Sequence, residues 1–93
     1  MSSPSAASAF RPEGHPTHCF SVQAAAEPAV MPRVIELFAK RGLVPSSWVS
    51  RVSGREITID LQMTGLDAEA AHYIARCLRQ IVSVDVVLVS EKQ

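Results

Sequence analysis

Ninety-three residues with nine basic and nine acidic side chains carry no net charge, which excludes the electrostatic footprint selected by nucleic acid or an anionic membrane surface. So short a chain makes one small domain that is marginal alone, and a partner surface is expected to help hold it. Two distant cysteines, Cys19 and Cys77, without CxxC spacing exclude a disulfide scaffold and a zinc site in favour of reduced, buried thiols.

The N-terminal stretch lacks a basic region followed by an apolar run, and no later stretch approaches the roughly 20 apolar residues that span a bilayer, so a cytoplasmic location is expected. Residues 1–16 are rich in Ser and Ala, with Pro4, Pro12 and Pro16 at intervals. They show no apolar period and are expected to form a disordered or loosely attached arm without function, leaving residues 17–93 as the domain.

From Thr17 to Ala24 the chain alternates, with Phe20 and Val22 on one side and Cys19, Ser21 and Gln23 on the other, the pattern of a half-buried strand. Ala25 to Pro28 then turn into a helix in which Val30, Met31, Val34, Leu37 and Phe38 share one face. Arg33, Glu36 and Lys40 lie opposite, with Glu36 and Lys40 spaced for an i,i+4 ion pair. Pro32 is tolerated because it falls in the first turn, where its missing N–H is not needed. Gly42, after Lys40 and Arg41, is placed to end the helix in a left-handed cap.

Val44 to Val52 reads as a weaker, serine-rich strand carrying Trp48, and Pro45 confines it to an edge of the sheet. A reversal at Ser53-Gly54 leads into Arg55 to Met63, where Ile57, Ile59, Leu61 and Met63 face inward and Glu56, Thr58, Asp60 and Gln62 outward. Asp67 is placed to cap a second helix running to about Ile81, with Ala71, Ile74, Leu78 and Ile81 as its apolar stripe. Glu69, His72, Arg76 and Arg79 form its wet side. The last strand, Val82 to Val89, is nearly all valine.

The order strand, helix, strand, strand, helix, strand predicts an α+β fold of the ferredoxin-like βαββαβ kind, a four-stranded antiparallel sheet with both helices on one face. Cys19, Ser21, Gln23, Thr58, Asp60 and Gln62 then form a polar row on the other face.

No nucleophile with a base, no glycine-rich phosphate loop and no metal constellation is found, so no catalytic residue, cofactor or metal is expected and the chain is read as not an enzyme. His15, His18 and His72 are taken as surface residues, because metal ligation needs convergent geometry. Cys19 and Cys77 are small core or interface residues rather than reactive thiols. Trp48 on a serine-rich edge needs cover, from a second subunit or from its own helix. Arg51 and Arg55 flank the hairpin turn as solvated charges.

Glu27-Pro28-Ala29-Val30-Met31, the helix with Arg33-Val34 and Leu37-Phe38, and then Arg41-Gly42-Leu43-Val44 resemble the ACT domain over residues 18–90. Within that family, Phe38-Ala39-Lys40-Arg41-Gly42 and the single-domain length are most similar to the short type of acetolactate synthase small subunit, a regulatory partner in branched-chain amino-acid synthesis. The resemblance implies a homodimer, and the weak edge strand with Val44, Trp48 and Val52 is its expected interface. The resemblance also implies an amino-acid site formed by Glu27, Pro28, Ala29, Val30, Met31, Gly42, Leu43 and Val44. Two departures point to a degenerate site: Ala29 stands where the family has glycine and Val44 where valine-sensitive members have asparagine, removing clearance and a polar group.

The expected function is therefore a non-catalytic regulatory or stabilising subunit whose partner is the acetolactate synthase large subunit. The alternatives are a free-standing sensor of a branched-chain amino acid and, further off, a small enzyme of acylphosphatase type. That activity needs an arginine in the loop after the first strand, where Ala24-Ala25-Ala26-Glu27 has none.

Overall fold

The computed structural model describes residues 16–92, so the expected arm lies outside the described residues except for Pro16. Thr17–Ala25 forms strand β1, with Phe20, Val22 and Ala24 buried on one side. His18 joins them and is only 2% exposed, which corrects its reading as a surface group. It lies two residues before Phe20, and the period of a strand gives both the same face. Its Nε2 is 3.8 Å from a carboxylate oxygen of Glu91, while Nδ1 has no hydrogen-bond partner among the described residues.

Val30–Ala39 forms helix α1, which buries Val30, Val34 and Phe38. Met31, expected on the buried face, is exposed instead. The three buried residues are spaced four apart and centre the buried arc on Val34, which leaves Met31 and Ile35 together on its flank. Glu36 and Lys40 form the anticipated pair at 3.7 Å. Gly42 adopts φ +69°; its N–H reaches the Ala39 carbonyl at 3.0 Å and the Leu43 N–H that of Phe38 at 2.9 Å, the Schellman arrangement that ends a helix.

Strands β2 (Ser47–Ser53) and β3 (Glu56–Thr64) form the hairpin. Gly54, first of its two turn residues, takes φ +60°, as a type II′ turn requires. β2 starts three residues later than its apolar pattern suggests, because Pro45 and the residues beside it belong to the connection. β3 buries Ile57, Ile59, Leu61 and Met63, as its alternation demands.

Helix α2 (Ala68–Arg79) is capped by Asp67, whose carboxylate accepts the Ala70 N–H at 2.7 Å. Glu69 in its first turn and Arg76 and Arg79 in its last complement the helix dipole. Ala71, Ile74, Ala75 and Leu78 are buried, and Ile81 packs partly buried against the same core.

Strand β4 is Val84–Lys92 rather than Val82–Val89. Val82 is exposed, and Ser83 turns the chain with φ +82°, so the valine run begins in a turn and not in the sheet.

The antiparallel order is β2-β3-β1-β4. β1 and β4 shift register between Gln23 and Ala24, which face Val86 and Val84, leaving Asp85 as the extra residue of a bulge. Phe20 from β1 and Phe38 from α1 meet edge to face, with ring centroids 6.0 Å apart, inside the core between sheet and helices. The opposite sheet face carries the anticipated polar row. The register also places Val49, Val86 and Leu88 there, all exposed.

Candidate functional site

The β1–α1 connection, residues 26–29, is fixed from two sides. The Ala26 N–H donates to the Arg55 carbonyl at 2.9 Å from the hairpin, and the Ala25 N–H to the Ser83 carbonyl at 2.9 Å from the α2–β4 turn. Within the loop the Glu27 N–H reaches the Ala25 carbonyl at 2.8 Å and the Val30 N–H the Glu27 carbonyl at 3.1 Å. The Ser83 hydroxyl donates to Oε1 of the Glu27 carboxylate. Glu27, Pro28, Ala29 and Met31 are all exposed at this end of the fold, and Val30 anchors the helix start in the core.

Ala29 is the N-cap of α1 with φ −80° and ψ −11°. That conformation suits any L-residue, so the alanine brings no backbone strain and lost clearance is its one cost. The Ala29 side chain is exposed and makes no cap hydrogen bond.

The second half of the expected site lies beyond the other end of the same helix. Ten residues of α-helix separate Ala29 from Lys40, about 15 Å at the standard rise. Gly42, Leu43 and Val44 therefore do not meet Glu27 to Met31 within one chain. Leu43 packs partly buried on the core, whereas Val44 is 83% exposed and covers nothing.

Trp48 and Val52 face the helix side of β2, opposite Leu61 and Ile57 of β3. Trp48 packs against the chain's own core, so part of the cover expected from a second subunit is internal. Val52 stays 65% exposed. With Val44 it leaves the bare edge of the sheet flanked by apolar side chains.

Cys19 and Cys77 are free thiols, both partly exposed rather than fully buried. Cys77 lies 3.7 Å from a guanidinium nitrogen of Arg41, which also sits over the Tyr73 ring at 5.3 Å and donates to the Leu37 carbonyl at 2.9 Å. That last bond gives Arg41 a helix-capping role. His72 is exposed on α2, far in sequence from buried His18. Among the described residues no three His, Cys, Asp or Glu side chains converge as a metal site, and His15 lies outside them.

Sequence reasoning missed two features. Ser83 and Arg55 act on the loop through backbone carbonyls and one hydroxyl, for which no sequence signal exists. A shallow trough of about 450 Å³ crosses the uncovered sheet face over Cys19, Ser21, Asp60 and Gln62, between Val49 and Leu88. Alternation in β2 puts Val49 on that face, whereas the bulge at Asp85 obscures the phase of β4 and with it the rim at Leu88.

The fold is shared with the ACT domain from GTP pyrophosphokinase of Chlorobium tepidum, at TM-score 0.73 and 10% identity over 82% of this chain and 99% of that one. The C-terminal domain of the MgtC protein from Mycobacterium tuberculosis is similar at TM-score 0.67 and 14% identity, over 89% of this chain and 94% of that one. A homoserine dehydrogenase from Thiobacillus denitrificans is similar at TM-score 0.69 and 12% identity, over 83% of this chain but 17% of its own. At these identities the likeness is one of fold alone. No curated protein matches the chain in sequence. Residues 12–93 match the model of the ACT-like domain, so with the fold and the loop geometry above, the chain belongs to the ACT-like domain family.

Proposed function

We propose that the protein is a non-catalytic regulatory module that works as a homodimer, pairing at the β2 edge and answering to, or acting on, a partner enzyme. The observation that carries this reading is the uncovered edge of β2. Glu27 to Met31 and Gly42 to Val44 stand at opposite ends of α1, so a ligand touching both halves needs them from two chains. Exposed Val44 and Val52 beside an unpaired strand supply the contact surface.

Ala29 and Val44 narrow the reading further. An alanine Cβ occupies the clearance a glycine would leave, and valine offers no hydrogen bond to an amino or carboxylate group. Valine, leucine and isoleucine are therefore expected to bind weakly or not at all, and the dimer acts by contact, favouring one state of its partner through differential affinity. The run Phe38-Ala39-Lys40-Arg41-Gly42 directs the choice of partner to the acetolactate synthase large subunit.

Calorimetry with the three amino acids, followed by large-subunit activity with and without the protein, tests this. Enzyme activation without amino-acid binding is expected. Micromolar valine binding overturns the contact mechanism in favour of a sensor, and an enzyme that does not respond removes the synthase as partner.

A further inference from the structure

Ser83 is the one described residue other than glycine with positive φ. L-residues with side chains rarely hold this conformation, and when they do the surrounding structure must over-determine it. Two contacts do so here, one to the last residue of β1 and one to the loop after it: the Ser83 carbonyl accepts the Ala25 N–H at 2.9 Å, and its hydroxyl donates to Glu27 Oε1. The β4 bulge at Asp85 follows two residues later, and bulges of this kind re-aim the chain beside functional loops.

We propose that Ser83 is a positioning residue for this loop. Its left-handed backbone turns one carbonyl and one hydroxyl onto residues 25–27 and presets the Glu27 carboxylate. One carboxylate oxygen is engaged by Ser83, and Oε2, on an exposed side chain, has no partner among the described residues. A carboxylate held in this way is an acceptor for a cationic group such as the ammonium of a partner's lysine, with little left to order on binding. Assigning the loop a ligand or partner rests on the reading above; the positioning by Ser83 does not.

Three variants separate positioning from a merely structural role. Ser83→Gly removes the backbone strain together with the hydroxyl, Ser83→Ala removes only the hydroxyl, and Ser83→Asn tolerates the left-handed region while carrying a donor. Amide hydrogen exchange is read at Ala25 and Glu27, with the amides of β3 as control. Losing one hydrogen bond should speed exchange at the loop about fivefold in Ser83→Gly and Ser83→Ala, with β3 unchanged and Ser83→Asn close to wild type.

Ser83→Gly should show this loosening while its denaturation midpoint equals or exceeds that of wild type, a separation no purely structural role produces. Loop exchange unchanged in both Ser83→Gly and Ser83→Ala overturns the proposal, as does loosening that extends equally to β3. Loosening of the loop in a protein that binds none of the three amino acids and leaves the synthase unaffected keeps Ser83 in its role and overturns the functional reading instead.

Discussion

The two edges of the sheet are built differently. At β4, helix α2 lies over the strand and Arg79 donates to the Val87 carbonyl at 2.8 Å. A bulge also interrupts the register with β1, and bulges blunt an edge against further pairing. At β2, the strand pairs with β3 alone, only Trp48 packs on the core, and none of its seven residues is fully buried. The β4 edge is partly covered from within, and the β2 edge is the one at which we propose pairing. The contrast places internal cover on one side of the sheet and the proposed association on the other.

The comparison breaks most visibly in the core. Phe38→Ala and Leu78→Ala, one on each helix and both fully buried, should each cost about 3–5 and 2–5 kcal/mol by urea denaturation, a large part of a small domain's stability. Glu36→Ala, which loses an exposed ion pair, and Val52→Ala, which loses an exposed methyl pair, should stay within about 0.5 kcal/mol. Equal losses at Phe38 and Glu36 would mean that the helix faces are reversed.

A smaller effect sharpens the contrast at the closed edge. Arg79→Met keeps the side-chain stem over β4 but removes the bond to Val87, and should cost about 1 kcal/mol. Faster exchange of β4 amides than of β3 amides would show that the arginine guards that edge.

The smallest change in stability is paired with the largest change in assembly. Val52→Glu should match the wild type within about 0.5 kcal/mol when both are unfolded at concentrations too low for pairing, yet run as a monomer by light scattering at concentrations where the wild type is expected to be a dimer. A dimer that survives this substitution would move the interface away from β2.

Much of the fold is legible in the residues themselves, for reasons that differ by element. β3 alternates without exception because one face is wholly buried and the other is not. α2 announces its start through Asp67 and its face through Ala71, Ile74 and Leu78. The start of β4 was obscured because valines favour strands, and Ser83 reverses the chain in a conformation usually flagged by glycine or asparagine. His18 was misplaced by its polarity, although its position in the alternation put it inside.

The candidate site is less legible than the fold. Glu27 to Met31 and Gly42 to Val44 form one motif in the sequence, but α1 holds its two parts apart. The contacts that fix the loop come from Ser83 and Arg55, which are distant in the chain. Residue type alone carries no trace of either.

Thr17 of β1 lies opposite Lys92 of β4, so the two ends of the folded unit are neighbours, about 5 Å apart between Cα atoms. A polypeptide can therefore enter and leave this unit at one spot, which suits insertion into a loop of a host protein or joining of the two ends with a new opening at the Gly54 turn. The same pairing slows folding. The first strand of the chain finds its outer neighbour only after some sixty residues more, so this pairing carries the loop-closure cost of a long-range contact.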